Sequence, residues 1–211
     1  MAYPTVAAPY GLVPVNLIGG QPYAGSTRQM KIASAYDTNI FNGDIVTRLA
    51  DGTIAKEAGT TTTAVTGVIG VFVGCTYTDP ATNQKIFKQY YPADTIASDI
   101  QAYVVDDPDA LFKVAVVSGT TVVAGIAYGS IGSNAALVQN AGITANGNSR
   151  VAILSTSVAV TKTLPMRIVD VVEETTDASG NYTEVIVKFN APYEDSNIAK
   201  GGHAYKLATG L

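Results

Sequence analysis

Charged side chains are scarce in this 211-residue chain, at 14% of residues against roughly 25% in an average soluble domain. No run of basic residues occurs and the net charge is −4, which argues against a nucleic-acid partner. Hydrophobic residues make up an ordinary 47%. Thr, Ser, Ala, Gly and Asn replace the missing charge, a composition that suits β-structure and extensive contact with other proteins.

Cysteine and histidine each occur once, and tryptophan does not occur. A single Cys75 excludes an internal disulfide and any Cys-based zinc site, and its apolar flanks VFVGCTY predict a buried structural thiol. His203 lies in AKGGHAYK near the C-terminus, where we expect a solvated side chain. No catalytic triad, nucleophile elbow or phosphate-binding loop is present in the pattern. We therefore predict that the protein is not an enzyme and holds no cofactor or metal.

One acidic cluster, DDPD, raises the question of a calcium site. It contains Asp106, Asp107 and Asp109. Pro108 interrupts the run, and the alternating oxygen ligands and turn glycine of a calcium loop are missing. We expect a solvated turn between two strands, with a weak calcium site or an interface as the alternative.

Long uninterrupted apolar runs are missing as well. The windows TGVIGVFVGC and KVAVVSGTTVVAGIAYG are too short or too broken by glycine to span a bilayer. The start, MAYPTVAAPYGL, lacks the basic region and continuous apolar core of a signal peptide. We therefore expect a protein that is made in the cytoplasm, has no membrane partner, and stays soluble or joins an assembly.

The N-terminal stretch APYGLVPVNLIGGQPYAG is apolar but is interrupted by Pro or Gly every few residues. Pro fixes φ and removes a donor, so this pattern forbids a helix and disfavours a central strand. We predict an extended arm over residues 1–27, with a flexible tail as the alternative. Its apolar anchors are Val6, Tyr10, Leu12, Val13, Val15, Leu17, Ile18 and Tyr23.

From Arg28 onward the pattern predicts about ten short strands separated by turns. GDIVTRLADGTIAKEAG is typical of a hairpin with an Asp51-Gly52 turn, and VIGVFVGCTYT of one long strand bent at its glycines. GSNAALVQNAG, residues 132–142, is a weak helix candidate. The predicted fold is all-β, a barrel or sandwich over residues 28–195 with a tail over 196–211. Its strands either interleave or form two β-units joined near residues 118–150.

Several stretches, taken in order, resemble small structural proteins of tailed bacteriophages, in particular capsid decoration, or cement, proteins. The similarity touches most of the chain and is densest in residues 8–117. The stretches are APYGLVPVNLIGGQPYAGSTRQMKIAS, NIFNGDIV, GVFVGCTYTDP, FKQYYPA, AYVVDDPDALFKV, GNSRVAIL and TLPMRIVDVV.

This resemblance implies an all-β, often trimeric protein on the outer face of an icosahedral virion capsid, with no catalytic residues. The partners would be the major capsid protein and further copies of the same chain, and synthesis would take place in the host cytoplasm. The apolar arm then finds its folding partner in the capsid, and three arms of a trimer would bind together. The expected capsid-contact residues are Tyr10, Leu12, Val15, Leu17, Ile18 and Tyr23.

Two other classes of function are compatible with the sequence. One is a different virion part, such as a head fibre, a tail protein or a shell protein, although a shell protein normally has a long spine helix. The other is a β-barrel enzyme or glycan-binding module. The single histidine and the absence of tryptophan argue against this second class.

Overall fold

The computed structural model of the protein describes residues 8–57, 68–190, 193–195, 198–200 and 203–206. Regular structure in these ranges is β-strand, with four short 3-10 helices and no α-helix, so the predicted all-β class is confirmed. No helix in these ranges is long and apolar enough to cross a membrane. The strands are β1 Val13–Leu17, β2 Arg28–Lys31, β3 Ile45–Arg48, β4 Ile54–Lys56, β5 Val68–Thr78, β6 Lys85–Lys88, β7 Gln101–Val105, β8 Ala110–Val117, β9 Asn134–Ala135, β10 Leu137–Val138, β11 Ala152–Leu154, β12 Met166–Val171, β13 Glu184–Phe189, β14 Tyr193–Asp195 and β15 Ile198–Lys200.

Strands β2 to β7 form a six-stranded sheet that closes almost completely on itself. Its order is β2-β7-β5-β3-β4, with β6 paired to β5. A parallel bridge between Ile32 and Ile54 joins the two ends of this path, so the sheet becomes a small barrel around its own core. That core includes Phe72 and Tyr91, both fully buried. The hairpin predicted at Asp51-Gly52 is confirmed as β3 and β4, with Gly52 at a φ of 84°.

The long strand β5 is confirmed with its bends at glycine. The β5–β7 register shifts between Phe72 and Gly74, and the β3–β5 register shifts opposite Gly70. A Cβ on Gly70 would lie 2.1 Å from the carbonyl oxygen of Val105, so only glycine permits this backbone approach. Because successive side chains of a strand point to opposite faces, β5 borders two cores, with Val71 in one and Phe72 in the other.

Strands β1 and β8 to β13 form a seven-stranded sheet in the order β10-β11-β8-β13-β12-β9, with β1 paired to β8. Its pairs are antiparallel except for the parallel β11–β8 pair. The larger core contains inward side chains such as Phe112 and Val187 from this sheet, together with Ile45 and Val71 from the barrel. The barrel and the second sheet therefore share one continuous hydrophobic core.

The structure differs from one of the two alternatives for the middle of the chain and from the weak helix candidate there. The chain passes from the barrel to the second sheet at residues 106–109, because β7 pairs with β2 and β5 whereas β8 pairs with β1, β11 and β13. The predicted join near residues 118–150 lies within the second sheet. The helix candidate over residues 132–142 contains β9 and β10, which pair with β12 and β11. A short buried apolar run does not distinguish helix from strand by its periodicity.

The predicted boundary between an arm and a barrel at residues 27 and 28 is also wrong. Strand β1 pairs with β8 and so belongs to the seven-stranded sheet. Leu12 just before it is 0% exposed within the larger core. Pro14 fits because β1 is an edge strand with a bulge between Pro14 and Asn16, and edge strands tolerate a residue without a backbone donor. Residues 1–7 of the predicted arm lie outside the described residues.

Candidate interaction surface

The seven-stranded sheet presents a polar and apolar outer face on the side away from the larger core. The register aligns Val13, Lys113, Ile186 and Asp170 in one row across β1, β8, β13 and β12. Val13 is 39% exposed and the Lys113 side chain is 38% exposed. Side chains at directly opposed positions point to the same face of a sheet. We define the outer face as Val13, Lys113, Arg167, Asp170, Ile186 and Lys188.

Tyr10 binds the segment before β1 to strand β13 beside this face. Its hydroxyl donates a hydrogen bond to the Glu184 carboxylate. Lys113 Nζ lies 3.6 Å from Glu184 Oε1 and 5.6 Å from the centre of the Tyr10 ring. Burial, and then the neighbouring Glu184, raise the pKa of Tyr10, so the hydroxyl remains a neutral donor. The segment before β1 is therefore held by a polar contact as well as by Leu12.

The six residues predicted to contact a capsid lie in different environments. Leu12 is buried in the core, and Leu17 and Tyr23 pack against the same core while partly buried. Tyr10 makes the contact with Glu184, and Val15 is half-buried. Ile18 is 47% exposed and is the most accessible of the six. The six do not form one exposed surface, because most of the apolar side chains of this segment pack against the larger core of the protein itself.

Sequence reasoning did not place the outer-face residues of β8, β12 and β13 in any site. In β13, buried Val185, Val187 and Phe189 alternate with half-buried Ile186 and Lys188. That alternation indicates which side chains point outward. Which strands lie side by side was not available from the sequence, so the row across the sheet was not predictable.

The acidic connection between the two sheets is ion-paired rather than simply solvated. The Asp109 amide donates to Asp107 Oδ1 at 2.8 Å, the expected Asx turn. Asp109 Oδ1 lies 2.6 Å from Lys206 Nζ and 3.2 Å from Lys188 Nζ, and its hydrogen bond to Lys206 in particular lowers the pKa of Asp109. Among the described residues, no group of three or more His, Cys, Asp and Glu is placed to hold a metal ion.

A buried polar cluster that the sequence did not reveal surrounds Asp44. Asp44 is 0% exposed, and its carboxylate lies 2.8 Å from Lys56 Nζ. It accepts hydrogen bonds from Ser149 Oγ at 2.6 Å and from the Phe41 amide at 2.8 Å. The cluster connects the barrel to the loop before β11. Because each partner is already used, the arrangement satisfies buried polar groups.

Two shallow grooves lie on the barrel beside Ile96, which is 69% exposed. Asp79 and Asp99 line them. The Asp99 carboxylate accepts hydrogen bonds from the Thr78 amide and hydroxyl, which lower the pKa of Asp99. Asp79 accepts the Ala81 amide within its own turn. Both carboxylates accept hydrogen bonds from nearby backbone amides, so they stabilise local structure and do not form an opposed acid and base.

Cys75 is buried at 1% exposure, as its apolar flanks predicted. Its thiol donates to the Tyr90 carbonyl at 3.5 Å, and burial raises the pKa of Cys75 to about 12.

Since the thiolate is the nucleophile, we expect no reaction of Cys75 with a disulfide reagent at about pH 8 in the folded protein, and complete reaction in guanidinium chloride. The variant Val160→Cys, at a position 91% exposed, should react at once. Rapid labelling of wild-type Cys75 would contradict its burial.

In comparisons with known proteins, no family model matches this sequence. No curated protein and no solved structure gives a significant match either.

Proposed function

We propose that the protein is a structural component of a tailed-phage virion, and specifically a decoration protein that binds the major capsid protein on the outer face of the capsid. The sequence resemblance, which touches most of the chain and is densest in residues 8–117, suggests this function. The observation that carries the proposal furthest is the all-β architecture, with no α-helix in the described residues. A shell protein, the main alternative virion part, would be expected to have a long spine helix.

Such a protein would stabilise the capsid by bridging neighbouring capsid subunits against the pressure of packaged DNA. Its contact would then involve exposed side chains near β1 rather than the buried ones. Val13 and Ile18 are the exposed apolar residues of this region, at 39% and 47%. Tyr10 and Leu12 would instead hold the segment in position. Several weak contacts bound at once give a tight joint.

We expect the protein to form a homotrimer, as the resemblance to decoration proteins implies. Three copies on one axis present three identical contact surfaces to a three-fold site. Light scattering after size-exclusion chromatography should give three times the 21.8 kDa mass of the chain. A monomer mass that persists at micromolar concentration would contradict a trimer in solution.

Cosedimentation with undecorated capsids tests the proposed contact. The wild-type protein should pellet with capsids, and Ile18→Asp combined with Val13→Asp should reduce binding at least tenfold, because a charge replaces each apolar contact. Val160→Asp, at a position 91% exposed and far along the chain, is the matched control and should bind normally. Normal binding by the double variant would place the contact elsewhere. Failure of the wild-type protein to bind would contradict the function itself.

A further inference from the structure

The C-terminal residues His203–Lys206, which we call the C-terminal clasp, contact both sheets. The backbone of His203 forms a bridge with Val68 at the start of β5. Its ring centre lies 6.1 Å from that of Phe189 at the end of β13. Ala204 is 3% exposed and belongs to the barrel core. The expectation of a solvated His203 in a tail is therefore wrong, because His203 and Ala204 are buried where the barrel and the second sheet meet, whereas Tyr205 and Lys206 remain exposed.

The acidic connection between the sheets holds the other half of the clasp. The Tyr205 hydroxyl donates to Asp106 Oδ2 at 2.8 Å, and Lys206 Nζ lies 2.6 Å from Asp109 Oδ1. Arg28 completes this group, since its Nε lies 2.7 Å from Asp106 Oδ2 and its guanidinium 5.5 Å from the centre of the Tyr205 ring. The clasp thus joins β2 and the β7–β8 connection to the end of the chain.

His203 occupies a buried position that favours its neutral form. The residue is 1% exposed. Its Nδ1 accepts a hydrogen bond from the Tyr205 amide at 3.3 Å. Its Nε2 makes no hydrogen bond of good geometry within the described part of the chain, although the Ile69 carbonyl faces the ring. Protonation would place a hydrogen on Nδ1, which would face the Tyr205 N–H instead of accepting it. It would also leave a positive charge in a buried site.

We propose that the C-terminal clasp is a pH-sensitive contact, which is closed while His203 is neutral and opens when its ring is protonated. Opening would uncover the apolar contact area of Val68, Phe189 and Ala204 at the junction of the two sheets. The proposal concerns the fold itself and does not depend on the function proposed above.

The charged and titratable neighbours determine the sign of this response. Burial lowers the pKa of His203 below its ordinary 6.5, and Lys206 acts in the same direction, while the Ile69 carbonyl, Asp106 and Asp107 oppose them. Two other groups of the clasp region keep their charge state. Tyr205 donates as a neutral hydroxyl, because burial raises its pKa. Asp109 stays ionised, because its pKa is lowered from 3.8.

The open state binds the proton more tightly than the closed state, so the clasp is most stable above pH 6.5, the ordinary value. Stability is lost as the pH falls from 6.5 towards the lower pKa of the closed state. Within that window the ratio of open to closed molecules rises by up to about tenfold per pH unit.

Hydrogen exchange and NMR on the full chain test the proposal together. The chain has a single histidine, so one ring resonance reports His203 without assignment. Its titration midpoint in the folded protein should lie below 6.5. After correction for intrinsic exchange, peptides that contain residues 203–206 should lose at least tenfold in protection between about pH 7.5 and about pH 5. Peptides from β8 should keep their protection.

The variant His203→Gln removes the titration and retains a neutral polar side chain, so its exchange at residues 203–206 should not depend on pH. The variant Tyr205→Phe removes the bond to Asp106 and should lower protection at both pH values by a similar factor. Unchanged wild-type protection at about pH 5 would overturn the proposal, and so would an equal loss in His203→Gln. A histidine midpoint at or above 6.5 would overturn it even if His203→Gln did not fold.

Discussion

Replacement of Leu12 by alanine should destabilise the protein by about 2–5 kcal/mol, the usual cost of removing a fully buried leucine side chain. Leu12 is 0% exposed and packs in the core that both sheets share. Gly11 and Gly43 hold the backbone close to it, since a Cβ on Gly43 would lie 2.9 Å from the Leu12 nitrogen. Urea unfolding followed by far-UV circular dichroism measures the change in the free energy of unfolding.

Ile18→Ala is the matched control for Leu12→Ala, because both residues lie in the segment first predicted to be an arm. Ile18 is 47% exposed, and its truncation should change the free energy of unfolding by no more than about 0.5 kcal/mol. A Leu12→Ala variant as stable as wild type would mean that the segment does not belong to the core. It would restore the sequence-based prediction of a separate arm.

Replacement of Asp44 by alanine should cost about 3–5 kcal/mol, since it removes a buried acceptor and leaves the partly buried Lys56 ammonium without its counter-ion. The Asp44 carboxylate is 0% exposed and lies 2.8 Å from Lys56 Nζ. It also accepts hydrogen bonds from Ser149 and Phe41, which would lose their acceptor. The same urea titration, run at neutral pH, measures the loss.

Two further variants distinguish the stability lost with this ion pair from the stability lost with an ordinary surface charge. Glu174→Ala removes an exposed carboxylate and should change the free energy of unfolding by no more than about 0.5 kcal/mol. Lys56→Met in the Asp44→Ala background should recover part of the loss, because it removes the unpaired charge. A loss below about 1 kcal/mol in Asp44→Ala would contradict a buried, fully paired Asp44 carboxylate.

The features that the sequence predicted correctly depend on local chemistry. The Asp51-Gly52 turn needs a residue that tolerates positive φ, and Gly52 supplies it at 84°. The bend in β5 follows from Gly70, where a side chain would meet the Val105 carbonyl. Each of these signals lies within a few residues of the structure that it produces, so a single sequence is sufficient to detect it.

The features that were missed depend on pairing between distant parts of the chain. Strand β1 is stabilised by β8, about a hundred residues away, and its Pro14 is tolerated because the strand lies at an edge. His203 is buried by Val68 and Phe189, neither of which is its neighbour in sequence. Local patterns record how apolar a segment is, but not which partner covers it.

The candidate site shows the same limit. Ile18 is exposed and Leu12 is buried, although both are large aliphatic residues that directly flank β1. The outer-face row of Val13, Lys113, Ile186 and Asp170 exists only through the β1–β8–β13–β12 order. A list of apolar anchors from the sequence therefore mixes core residues with contact residues.

Cryo-electron microscopy of undecorated capsids mixed with the purified protein tests the proposed function most directly. The proposal predicts ordered density on the outer face of the capsid at local three-fold positions, which accommodates three copies of the barrel and the seven-stranded sheet. Density at a fibre, in the tail or within the shell, or capsids that remain bare at saturating protein concentration, would contradict a decoration protein.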